Sequence, residues 1–369
     1  MEKEFEKYDE YCNKNFQNLN FIWNKEIKEY INKQGNKCIN EFEKIKKIGE
    51  GAIWKVYLVK RYFYEENNII TKNYAMKKTH IMTQYRRRYF KNSNMITYFD
   101  EVLNEILILG KLTKGNEKEE ENIGKEYVIS LYELIYDNIN REPFLYLIND
   151  YCDIGPIMNR DNINYNHFHN PNLIKFLFPN LNFEVEDFDN NLIKKNSLNL
   201  EIKHKIASKL FKEIFLGLKY IHSHNIIHRD IKIENLLFDS KENKIKIIDF
   251  SISTILFSKN NKIDEPGGSM HYQAPELQNI ETNTNYNPFY ADIWSVGICL
   301  YIFIFEEFPF DSDSELELQI KILENDIKLP FNPLNKFYEN LLYQLLEKNP
   351  EKRLTDINKI IDSDYFKIS

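Results

Sequence analysis

The sequence predicts an α+β chain in two lobes, a small β-rich one followed by a larger helical one. Three observations lead there. Short apolar runs with strand-like alternation recur through residues 42–150. Helical periodicity dominates from Glu201 onward. The 369 residues are enough for two or three compact units with their own cores.

Composition narrows the class further. With 43% hydrophobic and 28% charged residues the chain is globular, and a net charge of −7 argues against a nucleic-acid backbone as partner. Four cysteines, Cys12, Cys38, Cys152 and Cys299, show no paired metal spacing and suit a reducing compartment. The charged start "MEKEFEKYDEYCNKNF" is no secretory signal, and Glu2 stands where myristoylation needs glycine. The longest uncharged apolar run, "IWSVGICLYIFIF" at 293–305, is too short to span a bilayer and reads as a buried core helix. An intracellular location, cytoplasmic or also nuclear, with no membrane partner, is expected.

Taken in order, residues 1–41 read as a helical extension. Phe5, Tyr8, Cys12, Phe16 and Leu19, then Trp23, Ile27 and Ile31, recur at helical spacing, and Gly35 ends the run. From Phe42 to Lys60 the pattern is strand-like, broken by "GEGAIW", and "YAMKK" at 74–78 supplies another strand. Residues 79–98 look like an irregular insertion carrying the basic "QYRRRYF". A helix follows over about 99–113, then a charged loop and two strands, "YVISLYELIYD" and "FLYLIND". The Asn-rich stretch 159–199 reads as a second insertion.

Several side chains carry possible chemistry. "IGEGAIWKV" (48–56) places Gly49, Glu50 and Gly51 between apolar strands, where bare backbone N–H groups can approach phosphates. A Gly-x-Gly between strands is also an ordinary hairpin turn, and Trp54 stands where a third glycine would sit. Lys77 alternates inward with Ala75, and Glu105 on the following helix has apolar Leu109 and Val102 beside it; each alone reads equally as a surface charge. In "HRDIKIENLL" (228–237), Asp230, Lys232 and Asn235 crowd between two apolar stretches. Shortly after, "IKIIDFS" ends a strand in Asp249, and an Asp facing an Asn is a hard-oxygen pair suited to Mg²⁺.

These motifs, in this order, match the eukaryotic protein kinases: the glycine loop, "YAMK", Glu105, "HRDIKIEN", "DFS", "QAPE" (273–276), "ADIWSVGI" (291–298) and "NPEKRLT" (349–355). The resemblance covers about residues 42–366. It implies a bilobal kinase domain: N-lobe 42–148, hinge 149–152, C-lobe 153–366. Lys232 resembles the serine/threonine type. "FLYLINDYCDIGPIM", "YIFIFEEFPF" and the basic insert are similar to the calcium/calmodulin-dependent protein kinase kinases, upstream enzymes that act on other kinases; liver-kinase-type relatives share parts of that pattern.

By the resemblance, ATP and Mg²⁺ are the cofactors and proteins the substrates of a monomeric enzyme. Asp230, Lys232, Asn235, Lys77 and Glu105 are the catalytic set. Asn235 and Asp249 would hold the metal. Ile48, Gly49, Glu50, Gly51, Val56, Ala75, Lys77, Asp150, Cys152, Leu237 and Asp249 would line the nucleotide site, with Asn149 at the gatekeeper position. Phe250, His228, Leu109 and Leu131 would stack as an aligning column, Asp292 would anchor the catalytic loop, Ser269 would bond Asp230 and Lys232, and Glu276 would pair with Arg353. Arg229 could grip a phosphate on Ser253, Thr254 or Ser258.

Two departures touch the machinery. Trp54 replaces a tolerant glycine, so ATP binding should survive. Ser251 replaces the glycine after Asp249-Phe250 and should make a flip of Asp249 costlier. A chain ending at Ser369 leaves no room for a calmodulin-binding tail, so calcium control is not expected. The rival classes are a pseudokinase scaffold, supported only by those two departures, and a stand-alone kinase acting on non-kinase proteins.

Overall fold

The computed structural model describes residues 22–24, 29–31, 36–65, 68–91, 94–116, 118–137, 143–160, 167–180, 198–256, 267–278, 287–333 and 335–367. The chain divides into two compact units. One comprises Met1–Glu119 with Ile129–Tyr151, the other Glu120–Val128 with Cys152–Ser369.

The first unit is a sheet flanked by helix. Its strands are β1 (Ile22–Asn24), β2 (Glu29–Ile31), β3 (Lys37–Ile39), β4 (Phe42–Glu50), β5 (Lys55–Glu65), β6 (Asn68–His80), β9 (Leu131–Asp137) and β10 (Phe144–Asp150), ordered β1-β9-β10-β6-β5-β4-β3-β2. A short hairpin of β7 (Arg88–Lys91) and β8 (Asn94–Thr97) stands apart from it. Register decides which side chains share a face. Lys77 lies opposite Val56 and Leu147, and Ala75 opposite Leu58 and Asn149, so these six occupy one face. The other face carries the core of Ile39, Phe42, Val59, Tyr74, Met76, Ile135, Tyr146 and Ile148. Helix α2 (Tyr98–Lys114) begins in a capping box, Thr97 with Asp100, and ends at Gly115, whose φ of 73° a side chain would resist.

Two sequence readings need correction here. The helical extension is not what the described residues show: 22–24, 29–31 and 37–39 are strands, with residues 1–21, 25–28 and 32–35 outside the described set. Apolar spacing over so short a run fits either period. Ile, Trp and Tyr are strand formers, and β1 pairs parallel with β9 while β3 and β2 extend beyond β4, so sheet edges take these segments up. Residues 79–98 are not irregular either. β6 runs on to His80, helix α1 (Ile81–Arg86) follows, capped by His80, and then the β7–β8 hairpin. The stretch 159–199, read as an insertion, holds elements of its own. β12 (Met158–Arg160) pairs with β13 (His167–His169), and α3 (Pro171–Leu177) buries Leu173 and Ile174; residues 161–166 and 181–197 lie outside the described residues.

The second unit is built on two helices. α4 (Leu200–Ser223) packs against α6 (Phe289–Phe305), and the apolar run of α6 is buried almost throughout. Helices α5 (Pro275–Gln278), α7 (Glu315–Glu324), α8 (Lys336–Leu345) and α9 (Ile357–Ile361) complete it, with β11 (Gly155–Pro156), β15 (Leu236–Asp239) and β16 (Lys244–Ile247) as one small sheet and β14 (Ile226–Ile227) with β17 (Thr254–Ile255) as another. Residues 120–128 group with this unit, which interrupts the continuous first lobe read from the sequence. Among the described residues no helix is long and apolar enough to cross a membrane, and Cys38, Cys152 and Cys299 are buried.

Candidate active site

In the first unit the strand register delivers Lys77 to Glu105. The Lys77 ammonium donates to Glu105 Oε1 at 2.5 Å; the lysine side chain is 19% exposed and the glutamate 1%. A buried carboxylate needs such a partner. It has a second one that the sequence did not reveal: the Trp54 indole N–H donates to Glu105 Oε2 at 2.7 Å, and Trp54 is itself buried. A buried indole usually finds an acceptor, but nothing in the sequence named this one.

The glycine loop connects β4 to β5. The Gly51 N–H donates to the Trp54 carbonyl at 2.9 Å, closing the turn. Neither Gly49 nor Gly51 has a positive φ, and nothing lies within 4 Å of where a Gly51 Cβ would be; what glycine supplies here is bare backbone. Glu50 is paired with Lys47, whose hydrogen bond lowers its carboxyl pKa. Val56 and Ala75 are half-buried on the Lys77 face, and Ile48 is exposed at 40%. Asn149 is buried, with its amide N–H donating to the Ser130 carbonyl at 3.2 Å. Asp150 accepts from the Ser130 N–H and the Tyr132 hydroxyl. Leu109 and Leu131 are buried in this unit.

The second unit gathers the "HRDIKIEN" residues in one loop. Ile231 and Ile233 are buried, so the alternating Asp230 and Lys232 are turned outward. Lys232 Nζ donates to Asp230 Oδ2 at 2.6 Å, and Asn235 Nδ2 to the Asp230 carbonyl at 2.9 Å. The Ser269 N–H reaches Asp230 Oδ1 at 3.2 Å, while its hydroxyl stands at 3.5 Å from both Asp230 and Lys232. The main chain of Ser269 is therefore the closer contact.

Asp292 holds the loop from below. Its carboxylate accepts the N–H groups of His228 and Arg229, each at 2.9 Å, and His222 Nε2 approaches it at 2.9 Å. Burial pushes the Asp292 carboxyl up, but His222 and the His228 N–H outweigh that and hold it below the ordinary value. Arg229 adopts a φ of 68°, a conformation these two main-chain bonds enforce. Its guanidinium donates to the Thr254 hydroxyl at 3.1 Å and the Ile252 carbonyl at 3.3 Å. Of the phosphate-acceptor candidates, Ser253 is buried with its hydroxyl donating to the His228 carbonyl, which removes it; Ser258 lies outside the described residues.

Two glycines missed by sequence reasoning lie here, and Gly268 is required. Gly268 has a φ of 83°, and a Cβ on it would meet the Arg229 carbonyl oxygen at 2.3 Å; one on Gly267 would meet the Arg229 guanidinium at 2.7 Å. Only glycine lets this segment lie against Arg229 and Asp230.

Asp249 also has a positive φ, 68°, and its Oδ1 accepts from the Ser251 N–H at 3.3 Å. Ser251 itself has no positive φ, so serine fits this conformation without strain. The Ile248 N–H donates to the Asn235 carbonyl at 3.0 Å, fastening the end of β16 that carries Asp249 beside Asn235. The Asn235 amide oxygen and the Asp249 carboxylate are hard donors of the kind a divalent cation takes. His228 and Phe250 rings lie 4.9 Å apart, and Leu237 sits in β15 opposite Pro156. Cys152 is buried, its carbonyl accepting from the Gly155 N–H at 3.2 Å. Glu276 and Arg353 form a bidentate pair at 2.7 and 2.8 Å with side chains 4% and 0% exposed, which settles the choice between surface and buried pair.

Comparison with known proteins agrees with this arrangement. The protein kinase domain family matches residues 178–366, just over half of the chain. A probable serine/threonine-protein kinase of Dictyostelium discoideum is 28% identical over 325 residues, covering 87% of this chain and 37% of its own length. The serine/threonine-protein kinase GRIK1 of Arabidopsis thaliana is 28% identical over 321 residues, 87% of this chain and 65% of its own. CBL-interacting protein kinase 17 of Oryza sativa is 34% identical over 177 residues, 47% of this chain and 38% of its own. The chain thus spans about a third to two thirds of the length of these relatives.

Proposed function

The chain belongs to the protein kinase domain family, and on that premise we propose that it is an ATP- and Mg²⁺-dependent serine/threonine kinase of protein substrates. The observation that carries the reading is the Asp230 cluster. One carboxylate takes Lys232 on one oxygen and the Ser269 N–H on the other, in a loop pinned by Asp292.

In the proposed reaction a substrate serine or threonine hydroxyl attacks the γ-phosphorus of ATP, the bond to the β,γ-bridging oxygen breaks, and ADP leaves. Asp230 orients the hydroxyl and accepts its proton; Lys232 offsets negative charge on the transferring group. Lys77, steadied by Glu105, pairs with the α and β phosphates. Mg²⁺ held by Asn235 and Asp249 would neutralise phosphate charge when bound. Most of the acceleration in such a reaction comes from positioning and charge stabilisation.

The test is a purified-protein assay with Mg·ATP and a generic peptide carrying both Ser/Thr and Tyr, run beside Asp230→Asn. The expected result is phosphate on Ser or Thr, with turnover reduced about 10²–10⁴-fold in the variant. Equal background in both would favour the scaffold reading. The finer assignment, an upstream kinase of the calcium/calmodulin-dependent protein kinase kinase type, is supported by the Gly-Pro-Ile-Met segment at 155–158 and by the basic insert. Phosphoproteomics after acute inhibition tests it: activation-segment sites of other kinases should fall, and no change there would favour non-kinase substrates.

A further inference from the structure

We propose that Trp54 is a positioning residue of the phosphotransfer site: it latches the glycine loop to Glu105 and so holds the Lys77–Glu105 pair together. The proposal rests on the reading above, in which that pair serves the nucleotide.

The geometry divides the Glu105 carboxylate between two donors. Oε1 receives the Lys77 ammonium at 2.5 Å and Oε2 the Trp54 indole N–H at 2.7 Å. With both oxygens engaged and the side chain 1% exposed, the carboxylate has one orientation that satisfies it. The Lys77 ammonium also lies 5.9 Å from the Trp54 ring centroid, within reach of the ring's negative face. Trp54 therefore touches both members of the pair. A residue at that loop position normally contributes nothing but backbone; here it supplies the donor that fixes the helix carboxylate.

The latch is itself held. The carbonyl of Ile53, one residue before Trp54, accepts from the Thr79 hydroxyl at 2.8 Å and the Gln84 amide at 3.3 Å. The carbonyl of Ala52 accepts from Arg87 at 2.5 Å, and that guanidinium is stacked 4.2 Å from the Tyr98 ring centroid. Thr79 and Gln84 are buried. Gln84 and Arg87 belong to the basic insertion between β6 and α2. The insertion thus has work inside its own unit: it fastens the loop that carries Trp54. The loop, through Trp54, and β6, through Lys77, thus meet on one carboxylate of α2, and α1 holds the loop in place.

The experiment uses the full chain and compares wild type, Trp54→Phe, Glu105→Gln, the double variant and Asp230→Asn for kcat and KM toward ATP. Phe keeps the ring and removes the N–H. Trp54→Phe is expected to lower kcat/KM for ATP about 10- to 100-fold, the range of a buried hydrogen bond to a charged group. In the Glu105→Gln background the same change should cost less than about twofold, because its partner is already altered. A packing role alone would give losses that multiply, and would overturn the proposal, as would a Trp54→Phe enzyme within about twofold of wild type. Should Trp54→Phe fail to fold, ¹⁵N-indole spectra of wild type and Glu105→Gln decide instead. One of the three indole signals must move in Glu105→Gln, and three unmoved signals overturn the latch. Wild type no more active than Asp230→Asn would bring down the phosphotransfer reading and the proposal with it, whereas an active wild type with an indifferent Trp54→Phe brings down the proposal alone.

Discussion

Both units fix a lysine against a carboxylate, at 2.5 Å for Lys77–Glu105 and 2.6 Å for Lys232–Asp230, but they support the pair by unlike means. In the second unit one buried carboxylate carries the loop: Asp292 grips two consecutive N–H groups, and Gly268 allows close backbone approach. In the first unit the support is divided among separate donors: Trp54 reaches Glu105, while Thr79, Gln84 and Arg87 hold the loop's carbonyls. A single buried charge fails all at once; divided support fails one donor at a time. The first unit should therefore be the more readily altered in activity, and the second the more readily unfolded by loss of a buried charge.

The largest effect expected from that contrast is in the second unit. Glu276→Ala leaves Arg353 buried, 0% exposed and without its bidentate partner, against the Trp294 ring 5.0 Å away. Breaking such a pair costs about 3–5 kcal/mol. Denaturant unfolding should show the loss in the second unit's transition. A change below about 1 kcal/mol would mean that the pair is hydrated and the contrast overstated.

Gly268→Ala comes next. The φ of 83° and the 2.3 Å approach to the Arg229 oxygen both oppose a methyl group, at about 1–3 kcal/mol. The segment should lift away from Asp230, and peptide turnover should fall more than ATP affinity. Equal losses in both would show that the segment does not position Asp230.

What the sequence made legible follows the same division. Asp230, Lys232 and Asn235 sit within six consecutive residues, so their spacing alone announces one loop, and buried Ile231 and Ile233 explain why Asp230 and Lys232 face outward. The α+β class and the buried helix at 293–305 were equally plain, since each is written in local periodicity. Trp54 was not, because its partner lies 51 positions away and no offset connects them. The strands at 22–39 were misread because apolar spacing over a few residues fits both periods, and only pairing at a sheet edge chooses between them. Asn149 was placed at the gatekeeper position and Ser251 flagged as a departure; the register places Asn149 on the Lys77 face, and the positive φ falls on Asp249 instead of Ser251.

Acid should weaken the second unit first. His169 and His204 are buried there, and burial holds both imidazoles below their ordinary value of 6.5, despite the raising influence of Glu306 on His169 and of the Pro333 carbonyl on His204. Lys203 faces both and lowers them further. Their folded-state values are depressed, so the unfolded chain takes up protons first. The stability they contribute is present above pH 6.5 and is lost as pH falls through the folded values, at up to about 1.4 kcal/mol per pH unit for each proton. Glu306 acts lower. Burial raises it, but His169 and Lys203 bring it to about 2 from 4.5, so its contribution is lost only as pH falls from 4.5 toward 2. Melting curves between pH 7 and 5 should show the decline, and His204→Gln should flatten it; an unchanged slope would remove His204 from the account.

The smallest effect is the one that bears most directly on how the first unit is held. Gln84→Ala removes one of two donors from the Ile53 carbonyl and leaves the 2.8 Å bond from Thr79 in place, so the acceptor is not orphaned. A net hydrogen bond of about 0.5–1.5 kcal/mol is at stake, equivalent to about a two- to tenfold change. Arg87 also touches Gln84 Oε1 at 3.4 Å and would lose that contact while keeping Ala52. The loop should loosen without releasing Trp54, raising KM for ATP modestly and leaving kcat nearly unchanged. If Gln84→Ala instead cost more than Trp54→Phe, the insertion would be the principal support of the loop and the indole a secondary one, reversing the hierarchy between them. If it cost nothing, Thr79 alone would suffice, and the side-chain scaffold of the first unit would be more redundant than its separate bonds imply.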